Sequence, residues 1–398
     1  AAKQAPDAKF LLFTGDFVET GTEQNSEWEW EQWFEVSMKP LLSRMALAPT
    51  DGNHDDTPNL NYTYHFNTDK AFNETATVKP QFDGITYSFV YGDALFMVYS
   101  HQDFWRGSYS YANGTSTYLS NDVANWFRDQ VEKYPDTKWR IAAVHKNLFT
   151  GSGHQTDEDG ALFRATLLPV FQELNIDFVI QGHDHIYEVM GPINNTTKTI
   201  VPGSVTNVEL VSPDSNKNPK GQQGGTFNVK DGTLYFVNGT CGRKRYYPYT
   251  QDEMEAGFDK HKVEGYWDLF TGKYGQPGAP AFSEISVSSS EIEVKTYTSD
   301  ANAQATLFDT FKIVKNGNTG IEENKQSAKL YPTYAKDKIN TTESDIIRVN
   351  AIDLTGKIYP LPFDNQHIDV SNLTDGIYVV QIFTNEKTRS ERIVKTSR

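Results

Sequence analysis

Four short polar motifs, each directly behind an apolar run of strand length, constrain the fold of this chain more than any other feature. Runs of this length are typical of buried strands, and glycines at the start of a motif let the backbone turn tightly. Because the carboxyl ends of parallel strands meet at one edge of a sheet, we expect the motifs to lie together there. In chain order they are Gly15-Asp16 after residues 10–13, Gly52-Asn53-His54-Asp55 after 45–48, His145 after 141–144, and Gly182-His183-Asp184-His185 after 178–180.

The side chains in these motifs have the chemistry of metal ligands. Asp16 offers a carboxylate and Asn53 an amide oxygen. The histidines His145, His183 and His185 offer imidazole nitrogens. Such a mixed nitrogen and oxygen set suits zinc, manganese or iron, and the lack of a thiolate argues against a structural zinc site. The sequence therefore predicts a metal centre at this edge of the sheet.

The order of the motifs resembles that of the calcineurin-like metallophosphoesterases, and the sequence between them is most similar to the bacterial branch that resembles purple acid phosphatases. The resemblance runs over about residues 1–315. It implies an α/β fold in which a two-sheet β-sandwich is flanked by helices. It also implies two divalent or transition metal ions, which can be zinc, manganese or iron.

The resemblance assigns a role to each predicted ligand. Asp16 would bridge the two ions, and His185 would help to bind the first of them. Asn53, His145 and His183 would complete the coordination of the second ion.

The same resemblance makes His54 the general acid and not a ligand. Asp55 would then fix the orientation of the His54 ring and raise its basicity. The implied reaction is hydrolysis of a phosphate mono- or diester by attack of a metal-bound hydroxide, with His54 protonating the leaving group.

Two features depart from the family pattern. The family's first motif, an Asp-x-His or similar triplet that supplies ligands to the first metal, lies on a strand before the Gly-Asp motif, whereas only residues 1–9 precede that strand here. We therefore expect the sequence to be a fragment of a longer chain. The tyrosine that colours ferric purple acid phosphatases is replaced by Glu19, so we expect no purple ferric centre and place Glu19 on a solvated loop.

Polar loops between the strands are predicted to shape a substrate pocket. An arginine near the metals could clamp phosphate oxygens. For His101 and Arg106 a plain surface position is an equally open interpretation, and His154 is better placed because it follows His145 closely. Tyr246 and Tyr247 would either line the pocket or pack as ordinary aromatic residues. The candidate substrate-binding residues are His101, Arg106 and His154.

Composition limits the binding partners, disulfide bonds and membrane segments that this chain can have. With 37 basic and 52 acidic residues the net charge is −15, so a nucleic acid duplex would be repelled by the general surface. The single cysteine, Cys241, excludes an intramolecular disulfide, and we expect it to be a small buried residue. No run is long enough for a transmembrane helix, so we predict no transmembrane segment.

Periodicity predicts alternating helices and strands. The predicted helices are residues 26–44, 119–133 and 160–174, and the glutamates at 27, 29 and 31 are interpreted as a solvated face. The predicted strands are residues 86–91, 94–99, 233–238, 284–298 with a turn at 288–290, and 306–315.

The sequence changes character after residue 315. Residues 316–328 are linker-like, and residues 329–398 carry short strand patterns without helices, which predicts a small all-β sandwich domain. Motifs at 330–332, 351–357, 368–373, 376–382 and 391–395 resemble the type A carboxy-terminal sorting domain of the type IX secretion system. A carbohydrate-binding or immunoglobulin-like module is the alternative. The resemblance implies the type IX machinery as a partner and a secreted or cell-surface location in a Gram-negative bacterium.

These predictions define a secreted phosphoesterase with a dinuclear metal site and a small phosphoester as its substrate. Two alternatives stay open. One is a noncatalytic cell-surface binding protein on the same scaffold, and the other is an extracellular nucleotidase or nuclease that shares the mechanism.

Overall fold

A computed structural model describes residues 1–21, 23, 25–55, 61–66, 68, 85–100, 109–110, 115–116, 121–206, 223–315, 334–341, 345–353, 355–364, 366–384 and 388–397. The chain divides into two compact units, Ala1–Asn316 and Gly317–Arg398.

The first unit is built mainly of strands that form two large sheets. In chain order its strands are β1 (Phe10–Phe13), β2 (Ala46–Pro49), β3 (Tyr87–Tyr91), β4 (Ala94–Val98), β5 (Tyr109–Ser110), β6 (Thr115–Ser116), β7 (Trp139–Val144), β8 (Phe178–Gln181), β9 (Tyr187–Asn194), β10 (Thr199–Ile200), β11 (Val205–Thr206), β12 (Gln223–Asn228), β13 (Thr233–Asn238), β14 (Phe270–Gly275), β15 (Ala281–Val287), β16 (Glu291–Ser299) and β17 (Ala305–Val314). The larger sheet has the order β10-β9-β13-β8-β7-β4-β3, with β14 also paired to β9, and the smaller sheet has the order β11-β12-β17-β16-β15.

Helices lie on the outside of these sheets. They are α1 (Glu27–Glu31), a π-helix (Gln32–Met38), α2 (Lys39–Leu42), α3 (Asn61–His65), α4 (Asn121–Lys133), α5 (Glu158–Glu173), α6 (Gln251–Ala256), α7 (Phe258–His261) and a 3₁₀ helix (Tyr266–Leu269). The three predicted helices are confirmed to within two residues at each end, and the first has a π-helical centre. The five predicted strand segments are confirmed as well, and residues 284–298 form the hairpin β15–β16.

The larger sheet separates two hydrophobic cores, and β13 shows how the sequence divides between them. Leu234 and Phe236 face the sandwich core between the two sheets, which also contains Phe311 from β17. Tyr235 and Val237 point to the other face, where they pack with helices α4 and α5. This alternation is the period of two that a strand buried on both faces requires. The predicted two-sheet sandwich flanked by helices is therefore confirmed.

The motif strands pair in parallel, but they belong to two sheets and not to one, because β1 and β2 form a separate two-stranded sheet. Strand β1 pairs in parallel with β2, and β7 pairs in parallel with both β4 and β8, which in turn pairs in parallel with β13. The segments that follow β7 and β8 therefore leave the larger sheet in the same direction, and those that follow β1 and β2 leave a separate two-stranded sheet in a common direction.

The second unit is an all-β structure, as the sequence predicts. Its strands are β18 (Tyr334–Ala335), β19 (Lys338–Asn340), β20 (Ile346–Asp353), β21 (Ile358–Pro360), β22 (His367–Asp369), β23 (Gly376–Thr384) and β24 (Thr388–Lys395). They form one sheet of order β18-β24-β23-β20-β21 and the pair β19-β22. Ile339, Ile368 and Val380 belong to one buried cluster, so the pair and the larger sheet share a core.

Two further expectations concern membrane-spanning helices and the burial of Cys241. Within its described residues, no helix has the length and apolarity needed to cross a membrane. The prediction that Cys241 is buried is wrong, because this residue lies in the exposed turn that follows β13.

Candidate metal centre

The segments after β1, β2, β7 and β8 are joined by backbone hydrogen bonds. The amide of Gly182 donates to the carbonyl oxygen of His145 at 2.9 Å. The amide of Thr50 donates to the carbonyl oxygen of Phe13, also at 2.9 Å. The Nδ1 atom of His145 lies 2.6 Å from the carbonyl oxygen of Thr14, which links the β7 segment to the β1 segment. The four predicted motifs therefore meet at one place.

Glycines allow these segments to approach so closely. A Cβ atom on Gly15 would lie 2.6 Å from Nδ1 of His145, and one on Gly182 would lie 2.6 Å from the carbonyl oxygen of Thr14. Asp16 and His183 themselves have left-handed backbones, with φ of 53° and 63°. Left-handed non-glycine residues cost about 1–3 kcal/mol and concentrate at functional sites. The local backbone is thus shaped for the site at the expense of local stability.

Donor atoms from three of the segments converge on the His145 ring. Its Nε2 atom lies 3.2 Å from Oδ2 of Asp16, 3.0 Å from Oδ1 of Asn53 and 3.2 Å from Nδ1 of His183. The ligand atoms of Asp16, His145 and His183 lie within 4.8 Å of one another. The structure therefore brings four of the five predicted ligands together.

This arrangement fits a metal ion. Because the Thr14 carbonyl can only accept a hydrogen bond, Nδ1 of His145 carries a proton, and Nε2 is the ring nitrogen that faces Asp16, Asn53 and His183. Asp16 and Asn53 also present oxygen atoms there. This set of nitrogen and oxygen atoms suits zinc, manganese or iron.

The charges of the site favour a cation as well. Burial alone would raise the pKa of Asp16. The charges of His145 and His54, together with the hydrogen bonds that they donate, outweigh burial and hold this pKa below its ordinary value. Burial would lower the pKa of His145, and the opposing charge of Asp16 leaves that pKa raised. Asp16 is therefore ionised at neutral pH.

His185 lies beside this group. Its Nδ1 atom donates to the carbonyl oxygen of Lys244 at 2.9 Å, and its ring stacks on Tyr246 with centroids 4.6 Å apart and an interplanar angle of 6°. Nε2 is therefore the nitrogen that His185 has available for a ligand. Tyr246 stacks on His185 and also packs against the larger hydrophobic core, whereas Tyr247 is exposed.

The structure corrects the predicted contact between His54 and Asp55. The His54 ring donates from Nδ1 to the carbonyl oxygen of Glu19, at 2.7 Å. The Asp55 carboxylate instead accepts backbone hydrogen bonds from Phe17 at 2.7 Å, Val18 at 3.3 Å and Gly52 at 2.8 Å. Asp55 is fully buried, and burial together with the charge of Asp16 raises its pKa to about 8. Asp55 thus ties the β1 and β2 segments together and does not orient the His54 ring directly.

Sequence reasoning also missed Glu29, which we interpreted as part of a solvated face. Its carboxylate accepts hydrogen bonds from the amide of Glu19 at 2.9 Å, and from the amide and hydroxyl of Thr20 at 2.8 and 2.9 Å. Glu29 therefore holds the peptide whose carbonyl group accepts from His54. The side chain of Glu19 is exposed, as predicted for a solvated loop.

Of the three candidate substrate-binding residues, only His154 can be placed, because His101 and Arg106 lie outside the described residues. The ring centroid of His154 is 4.0 Å from that of His183. Its Nδ1 atom lies 2.8 Å from Oδ2 of Asp157, and its Nε2 atom 3.8 Å from Oδ1 of Asp184. Burial would lower the pKa of His154, but these two carboxylates leave it raised. His154 thus lies against His183, a predicted metal ligand.

Sequence comparisons match two parts of the chain to known families. The calcineurin-like phosphoesterase family matches residues 1–187, and the secretion system C-terminal sorting domain matches residues 329–396. An uncharacterized protein of Mycobacterium tuberculosis is 26% identical over 206 residues, which cover 48% of this chain and 37% of that protein. Purple acid phosphatase 5 of Arabidopsis thaliana is 26% identical over 176 residues, which cover 44% of this chain and 34% of that protein.

A solved structure shows the same fold. The purple acid phosphatase from yellow lupin (Lupinus luteus) seeds superimposes with a TM-score of 0.51 and 14% identity, over 79% of this chain and 48% of that chain. This chain spans little more than a third of the length of the curated relatives named above, at 37% and 34%.

The chain therefore contains a calcineurin-like phosphoesterase domain and a type IX C-terminal sorting domain, and it has the metallophosphoesterase fold. The sorting domain implies handling by the type IX secretion system, and hence secretion or location at the cell surface.

Proposed function

We propose that this chain, which carries a calcineurin-like phosphoesterase domain, is a secreted metal-dependent hydrolase of phosphate mono- or diesters. The observation that supports this most directly is the convergence of Asp16, Asn53 and His183 on Nε2 of His145. We assign these residues, with His185, to two metal ions. Asp16, the carboxylate of the group, would be shared by the two ions, as the resemblance implies.

The reaction is the addition of water to phosphorus with cleavage of the bond to the leaving oxygen, which gives a phosphate product and an alcohol. When bound, the ions would supply Lewis-acid activation of water and neutralise charge on the phosphoryl oxygens. The protein must then return a proton to the leaving oxygen.

His54 is our candidate for that proton transfer. Its Nδ1 proton is held by the Glu19 carbonyl group, so the proton that it can deliver is on Nε2. The backbone amide of His54 donates to Oδ1 of Asp16 at 3.1 Å, which fixes this residue beside the proposed metal centre. Asp55 acts on His54 only through the backbone of the two segments that it joins, so we class it as a positioning residue.

Replacing Glu29 with alanine should lower kcat about 10-fold, because the peptide that orients His54 loses its anchor, with an effect typical of an outer-shell orienting group. Metal content should stay unchanged. The matched control is Glu31→Ala, on the same helix and exposed, which should keep full activity. Equal kinetics of the two variants in steady-state assays would reject the positioning role of Glu29.

The proposed function is tested by phosphate release from 4-nitrophenyl phosphate and bis(4-nitrophenyl) phosphate. We expect turnover of at least one of them, loss of activity with a chelator, and recovery when zinc, manganese or iron is added. Binding of these esters without turnover in the metal-loaded, full-length protein would favour the noncatalytic alternative. Preferential cleavage of nucleotides or of single-stranded polymers would identify a nucleotidase or nuclease.

We also propose that residues 329–398 direct export in a Gram-negative bacterium and take no part in catalysis, with 316–328 as a linker. None of the assigned site residues lies beyond residue 315. Truncation after Lys315 should therefore leave the activity and metal content of the purified protein unchanged, while the protein is retained within the cell envelope of its native host. Surface location of the truncated protein would disprove the sorting role, and loss of activity would show that the tail contributes to the site.

A further inference from the structure

A basic triplet follows strand β13 next to the candidate metal centre. Arg243, Lys244 and Arg245 occupy the loop that begins at the carboxyl end of this strand, and Arg243 and Lys244 are exposed. Because β13 is parallel to β8, its loop leaves at the same edge as the motif that contains His183 and His185. This concentration of positive charge stands out on a chain with a net charge of −15.

Hydrogen bonds fix the backbone of this loop to the site. The carbonyl group of Lys244 accepts from Nδ1 of His185 at 2.9 Å. The Gln276 side chain donates both to the His185 carbonyl at 2.7 Å and to the Tyr246 carbonyl at 2.9 Å. Ser152 donates to the Tyr247 carbonyl at 2.9 Å, which attaches the far side of the loop to the segment that carries His154.

The Lys244 side chain is close to the site. Its Nζ atom lies 5.6 Å from the centroid of the Tyr246 ring, which itself stacks on His185. Lys244 is therefore near enough to act on a ligand held beside His185.

Lys244 and Arg243 form no ion pair with a residue that the structure describes. In the described part of the chain neither has a carboxylate within ion-pairing distance, whereas Lys273 pairs with Asp309 at 2.6 Å and Arg128 with Glu173 at 2.7 Å. Arg245 differs, because its guanidinium group donates to the carbonyl of Arg243 at 2.7 Å and so braces the loop. Lys244, exposed and without an ion pair among the described residues, thus lies beside the proposed metal centre, and Arg243 is its exposed neighbour in the chain.

We propose that Lys244, assisted by Arg243, forms a second anion subsite that selects phosphate esters carrying a further phosphate group. The inference rests on the proposed phosphoesterase function and specifies its substrate class. The ester phosphate would lie at the metal centre, and the additional phosphate would contact the Lys244 ammonium group. A small bisphosphate of this kind is therefore preferred over the corresponding monophosphate.

The test compares kcat/KM for fructose 1,6-bisphosphate and fructose 6-phosphate, measured by phosphate release from the full-length, metal-loaded protein. Lys244→Gln should lower the ratio of the two values about fivefold, which is the effect of one exposed ion pair. Lys244→Arg should restore most of the ratio. Lys230→Gln is the matched control, because Lys230 lies on the exposed turn before the amino end of β13, at the opposite edge of the sheet. This variant also loses one positive charge and should leave the ratio unchanged.

The outcomes separate the subsite from the proposed function. If the protein hydrolyses 4-nitrophenyl esters but neither fructose phosphate, or if the ratio is the same in Lys244→Gln, the subsite is rejected and the phosphoesterase function stands. An equal loss for both fructose phosphates would also reject it, because the charge would then attract anions in general. Failure to hydrolyse any of these esters would overturn the phosphoesterase function itself.

Discussion

Substitution of Asp16 with asparagine should abolish nearly all phosphoesterase activity, with a loss of at least about 1000-fold, because both metal ions would lose their shared carboxylate. The asparagine oxygen can still accept from the backbone amide of His54, so the fold around the site should persist. The measurement is the steady-state rate on 4-nitrophenyl esters, together with the metal content of the purified variant.

Asp231→Asn is the matched control for this experiment. Asp231 is exposed in the turn between β12 and β13, at the edge of the sheet opposite the site. It should keep both activity and metal content. Activity of Asp16→Asn within tenfold of the wild-type protein would contradict the bridging role.

Substitution of His54 with alanine should lower kcat by about 10²- to 10⁴-fold, the range for general acid catalysis. Metal content should change little, because the backbone amide that contacts Asp16 remains. The loss should be smaller for a 4-nitrophenyl ester, whose leaving group needs little protonation, than for an alkyl phosphate. Losses of equal size on the two esters would exclude a proton-transfer role for His54.

The meeting of the motif segments at one place could be predicted from the sequence, whereas the separate two-stranded sheet of β1 and β2 could not. The apolar runs before the motifs are short and nearly free of charge, so only strands of a buried sheet accommodate them, and parallel strands deliver their following residues to one edge. Asp16, Asn53, His145 and His183 accordingly meet at one place. Strand β13, with apolar side chains at every interior position, was predictable for the same reason.

Charged residues with distant partners were not predictable. Glu29 has the sequence context of an exposed helix start, and its role depends on backbone amides of a loop nine and ten residues away. Strands β9 and β14 carry the buried Glu188 and Lys273, whose charges obscure the apolar pattern of a strand. Lys273 is tolerated only because it pairs with Asp309, 36 residues away on β17. A single sequence gives no sign of such pairings.

Asp55 was misplaced for a related reason. Its adjacency to His54 suggested a contact between the two side chains, but the backbone turn directs the Asp55 carboxylate to the amides of Phe17 and Val18. Those amides need a buried acceptor where the β1 segment turns. Sequence adjacency therefore identified an important carboxylate but not its partner.

The metal content of the full-length protein, purified without chelators and measured by elemental analysis, tests the central claim most directly. We expect about two transition-metal ions per chain, as in other two-metal hydrolytic sites, and a marked decrease in Asp16→Asn. A folded, full-length protein that contains no transition metal, and gains none when zinc, manganese or iron is supplied, would contradict the assignment of these residues to a metal centre.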